Sequence, residues 1–159
     1  MGENFSQDAY HKAGSVEIKN AIQNQSFRVN TNKKHWLGTG IYFWAQWTDA
    51  VWWDGGYDDP EIVMVRLECP KECFLDLDDA SELEDFQEIA KKLYSPVDEY
   101  AIDFLEVPGI YHAYCNYLKR SKGYRLIRYS FPDINNKTQL CATDNSVVHN
   151  VRYARKQQT

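Results

Sequence analysis

Long apolar runs and a secretory leader are both missing from this sequence. None of its apolar stretches approaches the roughly 20 residues that a helix needs to cross a membrane. The first residues, Met-Gly-Glu-Asn-Phe-Ser, lack the basic and apolar regions of a signal peptide. We therefore expect a cytoplasmic protein with no membrane partner.

Cysteines are few and are not arranged as a metal site. Four occur in 159 residues, and no two have C-x-x-C spacing. Cys69 and Cys73 flank a Pro-Lys-Glu turn, which on its own is poor support for zinc. We expect all four thiols to be reduced and no metal to be bound.

An excess of positive charge is missing as well. The net charge of −5 argues against a protein that coats nucleic acid, because such a protein needs a basic surface. Acidic residues are concentrated in residues 76–88, whereas basic residues gather in 119–128 and 152–156. This uneven distribution leaves room for an enzyme that contacts a few nucleotides through a local positive patch.

The length and the periodicity of the sequence predict one folded domain over residues 1–159. Hydrophobic residues make up 43% of the chain, and no internal repeat or linker interrupts it. Alternation predicts strands over residues 61–68 and 124–131, and helical spacing predicts a long helix over 78–94 with Ser81 as its N-cap. A second helical pair is predicted over residues 101–105 and 111–118. These elements indicate an α+β fold.

All five tryptophans lie between residues 36 and 53. Gly38 and Gly40 stand just before an aromatic strand, and glycine allows a close approach of the backbone to a ligand. Residues 48–53 have helical character. The segment predicts either flat rings around a slot or a tryptophan-rich core, and read alone it does not separate the two.

Three separated pieces carry a more specific pattern: Tyr10-His11, the motif Gly-Thr-Gly-Ile-Tyr-Phe from Gly38, and the stretch from Gln139 to Asp144. Together they resemble the ADP-ribosyltransferase superfamily of poly(ADP-ribose) polymerases and diphtheria toxin, and small bacterial toxin-like members in particular. That family has a His on its first strand, a Tyr in a Gly-x-Gly-Ile-Tyr-Phe strand and a Glu at the start of a late strand. The resemblance implies a single compact α+β domain in which two mainly antiparallel sheets pack together, with flanking helices and a split β core.

The resemblance also implies that NAD is a co-substrate. His11 would donate to the hydroxyls of the adenosine-side ribose, unless it is a satisfied strand histidine. Tyr42 would stack on the nicotinamide ring, with Trp53 favoured over Trp52 as the second ring. Aromatic faces are negative, which suits a cationic ring. The backbone of Gly38, Thr39 and Gly40 would lie along the ligand.

Two positions depart from the family pattern. Lys12 stands where a Gly usually clamps the nicotinamide amide, but a clamp made by the backbone needs no particular side chain. Gln139 replaces the Glu that accepts from the ribose 2′-hydroxyl, stabilises an oxocarbenium-like transition state and helps to deprotonate the acceptor. Gln139 can accept the hydrogen bond, but it supplies neither charge nor basicity.

Three interpretations of Gln139 follow. It is native to an enzyme whose acceptor needs little deprotonation, which the small bacterial relatives favour. Alternatively, another acid replaces the missing Glu, with Glu99, Asp103, Glu106 and Asp144 as unranked candidates. In the third interpretation the domain is catalytically weak, either naturally or through a substitution.

The favoured function is that of a mono-ADP-ribosyltransferase toxin, in a toxin–antitoxin or phage-defence setting, with His11, Tyr42 and Gln139 as catalytic residues. Its acceptor is a macromolecule, and nucleic acid (RNA or single-stranded DNA) is slightly favoured over protein. An antitoxin protein is a further expected partner. The alternatives are a protein-directed transferase, a non-catalytic module that binds NAD or ADP-ribose, and a structural domain whose tryptophans only pack.

Overall fold

The computed structural model describes residues 2–31, 35–94 and 108–154. In these ranges the strands are β1 (Asn4–Gly14), β2 (Ile41–Trp44), β3 (Pro60–Pro70), β4 (Phe74–Asp76), β5 (Leu126–Phe131), β6 (Lys137–Ala142) and β7 (Val148–Tyr153). The α-helices are α1 (Ser15–Asn24), α2 (Trp47–Trp52), α3 (Ala80–Tyr94) and α4 (Pro108–Lys122). The predicted α+β composition is confirmed.

The seven strands form one sheet in the order β4-β5-β6-β2-β1-β3-β7. Its neighbours are antiparallel except for β4 and β5, which are parallel. The expectation of two packed sheets is therefore wrong. The pair Tyr10–Trp44 continues the sheet from β1 to β2, so the two groups of strands lie side by side and not face to face.

Strand β1 pairs with β2 over far fewer residues than it does with β3. With β3, β1 pairs along its whole length, from Asn4–Pro70 to Gly14–Pro60. With β2, it shares the single pair Tyr10–Trp44, although every residue of both strands is described. Beyond that pair the two strands separate, which divides the sheet into a β4-β5-β6-β2 half and a β1-β3-β7 half.

Each face of the sheet carries its own hydrophobic core, because successive side chains of a strand point to opposite faces. Helix α1 covers one face, where Ile18 and Ala21 join buried residues such as Phe43, Val65 and Leu140. Helices α3 and α4 cover the other face, where the buried cluster contains Leu77, Phe86, Tyr111, Ile127 and Cys141. The alternation of Phe43 with Tyr42, and of Leu140 with Cys141, assigns β2 and β6 residues to one core or the other.

The long predicted helix is present as α3, but its cap differs from the prediction. The carboxylate of Asp79 accepts hydrogen bonds from the backbone N–H groups of Ser81, at 3.0 Å, and Glu82, at 3.1 Å. Asp79 is therefore the capping residue, because its side chain satisfies N–H groups that have no partner in the first turn.

The second predicted helical pair is described only in part. Residues 111–118 lie within α4, which begins at Pro108, a residue favoured in the first helical turn. Residues 101–105 lie outside the described ranges. None of the described helices combines the length and the apolar character that a membrane crossing requires.

Helix α4 holds the loop that enters β2. The backbone N–H of Thr39 donates to Asn116 Oδ1 at 2.8 Å, and the Lys119 ammonium donates to the Thr39 carbonyl at 2.7 Å. Gly40 forms an isolated bridge with Asn30, with N···O distances of 2.8 and 3.0 Å. The Gly-Thr-Gly segment is thus packed between α4, β6 and the residues before it.

Gly40 is required for steric reasons, since a Cβ at this position would lie 2.4 Å from the Ala142 carbonyl oxygen and 2.5 Å from Cys141 Sγ. We expect Gly40→Ala to lower the free energy of unfolding by about 3 kcal/mol, the upper part of the range for overpacking. Urea unfolding followed by tryptophan fluorescence measures this change.

Gly123→Ala is the control, because a Cβ there meets no atom within 4 Å and the residue is strained only by its φ of +74°. It should lose about 1 kcal/mol, the penalty of a left-handed conformation. Equal losses at the two glycines would contradict the close packing of Gly40 against β6.

Candidate functional site

A cavity of about 630 Å³ lies where β1 and β2 separate. The residues that the sequence singled out and that line it are His11, Lys12, Tyr42, Trp52, Trp53 and Gln139. They come from β1, β2, the end of α2 and β6, so the weak junction of the sheet brings distant parts of the chain together. Gly38, Thr39 and Gly40 are not among the lining residues; their backbone contacts α4 and β6 instead.

His11 fills the gap that opens between the two strands. Its Nδ1 lies 2.7 Å from the carbonyl oxygen of Tyr42, and a carbonyl can only accept, so Nδ1 carries the proton. The ring packs against Phe27 and Phe43, at centroid distances of 4.7 and 5.6 Å. The side chain of His11 therefore replaces the backbone pairing that ends at Tyr10–Trp44.

Burial lowers the pKa of His11, and the Tyr42 carbonyl and the charge of Glu17 oppose this shift only partly. The ring is thus neutral at pH 7, with a lone pair on Nε2. A neutral His11 whose Nδ1–H is bonded to Tyr42 accepts a hydrogen bond through Nε2. This differs from the donor role that the resemblance implied.

Tyr42 offers a ring face but no reactive hydroxyl. Its hydroxyl donates to the Gly38 carbonyl at 2.6 Å and accepts from the Leu37 N–H at 3.0 Å. Burial raises the pKa of Tyr42 far above its ordinary value. The ring of His35 lies beside that of Tyr42, with a centroid distance of 4.8 Å and an angle of 38° between the planes.

Lys12 holds α2 against β1. Its ammonium donates to the carbonyl oxygens of Trp53, at 2.6 Å, and Val51, at 3.3 Å. Both carbonyls belong to the end of α2, where a cation is favoured by the helix dipole. This contact gives a structural reason for a lysine at position 12 and places Trp53 at the cavity.

Three tryptophans form an aromatic wall at the cavity. The rings of Trp44, Trp52 and Trp53 lie 5.8 to 6.4 Å apart in the three pairings. The Lys137 ammonium lies 4.9 Å from the centre of the Trp52 ring and 3.4 Å from the buried carboxylate of Asp49. Helix α2 is thus joined to β6 through Lys137, as it is joined to β1 through Lys12.

Gln139 lies in β6, paired with Trp44 of β2 and with Tyr129 of β5. Leu140 belongs to the core under α1, so the side chain of Gln139 is on the other face, the one that carries Tyr42. The Gln139 side chain is half-buried in the cavity lining and makes no hydrogen bond with any described residue. Its amide is available to a ligand.

Of the four alternative acids, Asp144 alone lies in the described residues, and it is not at Gln139. Asp144 is exposed, does not line the cavity, and accepts from the N–H and hydroxyl of Ser146, which lower its pKa. Glu99, Asp103 and Glu106 lie outside the described residues. Glu17 is the carboxylate found in the lining, and it is exposed on α1.

The lining also contains residues that the sequence analysis did not assign to a site, among them Arg28, Asn30 and His35. These three lie in the segment between α1 and β2, which contains none of the three pieces of the family pattern. The one available signal was the position of this segment directly before the Gly-Thr-Gly motif. Among the described residues, Arg28 has no ion pair or hydrogen-bond partner.

The structure gives no sign of thiol chemistry at this site. Burial raises the pKa of Cys115 to about 12 and also raises the pKa of Cys141, so both thiols are neutral at pH 7. Neither is a competent nucleophile, because the thiolate is the reactive form. Across the described ranges, no three His, Cys, Asp or Glu side chains come together in a way that would hold a metal ion.

Comparison with family models and with curated protein sequences found no match to this chain. The likeness to ADP-ribosyltransferases therefore rests on the residue pattern given above.

The lowered pKa of His11 predicts how stability depends on pH. The unfolded ring, with an ordinary pKa of 6.5, takes up a proton before the folded ring does. The contribution of His11 to the unfolding free energy is therefore fully present above pH 6.5, and it is lost as the pH falls below that value. His11→Gln removes this contribution. As the pH is lowered, the unfolding free energy of the variant should therefore fall less steeply than that of the wild type. The two slopes should differ by at most about 1.4 kcal/mol per pH unit.

Urea unfolding between pH 7.5 and 5 measures the two slopes. His35, whose pKa is also lowered by burial, contributes in the same direction in both proteins. Ile22→Val controls for loss of stability without a titratable change. Parallel slopes for the wild type and His11→Gln would contradict a neutral, buried His11.

Proposed function

We propose that this protein is a mono-ADP-ribosyltransferase that cleaves NAD, releases nicotinamide and transfers ADP-ribose to a macromolecular acceptor. The observation that carries the proposal is the cavity at the β1–β2 junction. It collects His11, Tyr42, Trp53 and Gln139, which the sequence pattern had singled out from widely separated parts of the chain. Its volume of about 630 Å³ lies within the range of small-molecule sites.

Each of these residues has a function in the proposed reaction. Tyr42 and Trp53 present flat rings from two different elements, which suits the cationic nicotinamide ring of NAD. Nε2 of His11 accepts a hydrogen bond from a ribose hydroxyl. The free amide of Gln139 accepts from the 2′-hydroxyl of the nicotinamide ribose while positive charge develops at C1′. The electron pair of the bond between C1′ and nicotinamide leaves with nicotinamide.

Nucleic acid is the acceptor that we favour over protein. The Trp52 side chain is 50% exposed at the cavity, and the neighbouring Tyr57 is also exposed. Bases stack on such rings with about 1–3 kcal/mol each, whatever the sequence. We place the enzyme in the cytoplasm, as a toxin of a toxin–antitoxin or phage-defence system. This setting, and the antitoxin partner that it entails, are supported by the resemblance alone.

The second candidate is a module that binds NAD or ADP-ribose without cleaving it. The observation in its favour is the absence of a carboxylate at position 139, with Glu17 as the carboxylate of the described lining. Both candidates predict that NAD changes the tryptophan fluorescence, since Trp44, Trp52 and Trp53 line the cavity. Release of nicotinamide separates the two candidates, because only the transferase cleaves NAD.

Gln139 is the position that tests the proposal. We expect wild-type protein to release nicotinamide from NAD and to label RNA or single-stranded DNA with the ADP-ribose moiety. Gln139→Ala should lower nicotinamide release about a hundredfold, the loss expected for one hydrogen-bond acceptor or donor that acts in the transition state. Gln139→Glu should remain active, because it keeps the acceptor oxygen and adds the missing charge. Labelled NAD and chromatography of the products measure both.

His149→Ala is the control for purification and folding, because His149 is exposed on β7 and does not line the cavity. If the label appears on protein in a cell lysate, the transferase activity is supported and the acceptor is protein instead of nucleic acid. If the wild type binds NAD without turnover and Gln139→Glu alone transfers, the chain is a binding module and the proposal is wrong.

The position of Arg28 predicts which side chain binds the pyrophosphate of NAD. It lines the cavity as a cation without a described partner, whereas Lys12 is bonded to α2. We expect it to contact the pyrophosphate, so Arg28→Ala should raise KM for NAD about tenfold, or 1.4 kcal/mol, with kcat unchanged. Arg66→Ala, at an exposed arginine of β3 outside this lining, should change neither constant. A fall in kcat with unchanged KM would contradict this assignment.

A further inference from the structure

Transfer of ADP-ribose to a hydroxyl or an amine releases a proton, and the amide of Gln139 cannot take it up. The inference here rests on the proposed function and concerns the base that its cavity supplies. In the described lining, the groups that could take up a proton at neutral pH are His11, Glu17 and His35. Tyr42 is excluded as a base because burial keeps its hydroxyl protonated.

The sheet separates these three groups. Glu17 belongs to α1, which covers the face opposite to the side chain of Gln139. His11 is held in the gap between the strands by the Tyr42 carbonyl and by two phenylalanine rings. His35 instead lies with its ring against Tyr42, on the face that also carries Gln139.

His35 is fixed in three ways. Its carbonyl oxygen accepts from Nδ1 of His112 in α4 at 2.7 Å. Its ring contacts that of Tyr42, and its Nε2 lies 2.9 Å from the side-chain amide nitrogen of Asn30. The backbone of Asn30 is in turn bridged to Gly40. Burial and the neighbouring His112 lower the pKa of His35, which keeps the ring neutral.

An amide can present either its oxygen or its nitrogen to a ring nitrogen. The nitrogen of Asn30 faces Nε2 in the structure, and a flip of the side-chain amide brings its oxygen there instead. In the flipped arrangement Nε2–H of His35 donates to Asn30 and the lone pair lies on Nδ1. A proton taken up on Nδ1 gives an imidazolium that is bonded to Asn30 and lies over the negative face of the Tyr42 ring. The arrangement has the parts of a general base: a basic nitrogen, an orienting partner and stabilisation of the charged form.

We propose that His35 is the general base of the transfer step. As the bond between C1′ and nicotinamide breaks, with its electron pair leaving on nicotinamide, a lone pair of the acceptor forms the new bond to C1′. The proton of the acceptor hydroxyl or amine passes to Nδ1 of His35 and then to water. NAD and the acceptor thus become ADP-ribosyl acceptor, nicotinamide and one proton.

Azide distinguishes a base from a residue that only supports the cavity. Azide attacks C1′ without losing a proton, whereas water must lose one. In His35→Gln we expect the formation of ADP-ribose from NAD and water to fall about a hundredfold or more, while formation of ADP-ribosyl azide stays within about threefold of the wild type. Both products are measured by chromatography, and His149→Gln is the matched control, since His149 is exposed on β7.

Retained azide transfer also shows that the variant is folded and binds NAD. If both reactions fall together, His35 supports Tyr42 or the fold and is not the base. If neither reaction slows, the proton of the acceptor does not pass to His35, and the proposal for His35 is wrong. A wild type that releases no nicotinamide with water, azide, RNA, single-stranded DNA or protein overturns the proposed function itself, which separates that failure from a failure of His35.

Discussion

The separation of β1 from β2 is the feature on which the site depends. A continuous ladder between these strands would close the sheet and leave no space between them, but the pairing stops at Tyr10–Trp44. Beyond that pair the Tyr42 carbonyl needs a donor, and Nδ1 of His11 supplies it at 2.7 Å. One histidine therefore satisfies the backbone that the split exposes, packs against two phenylalanine rings and lines the cavity.

Two lysines then hold the wall of the cavity in place across the split. Lys12 binds the last carbonyls of α2 from β1, and Lys137 reaches the same helix from β6 through Asp49 and the face of Trp52. The short helix is thus held by both halves of the sheet. This explains why an aromatic segment of only a few residues keeps a defined position, since a helix of this length has little stability of its own.

Several of the groups that the proposed reaction uses are neutral. His11 and His35 are kept uncharged by burial, Tyr42 is kept protonated, and the amide of Gln139 carries no charge. In such a site the positive charge that develops on a ribose would be stabilised by dipoles and aromatic faces. The proton of the acceptor would need a separate base, and the segment between α1 and β2 places His35 where such a base would act.

Local patterns in the sequence predicted much of what is local in the structure. Alternation and helical spacing predicted β3, β5 and α3, because each depends on which side chains face the core. The motif around Tyr42 and the positions of His11 and Gln139 identified residues that line one cavity. Three features depend on contacts between distant parts of the chain. A single mixed sheet, and not two packed sheets, follows from one residue pair between β1 and β2. The glycines before β2 are required by the backbone of β6 and the side chains of α4, which are distant in sequence. His35 and Arg28 enter the site because tertiary contacts, not a motif, position their segment.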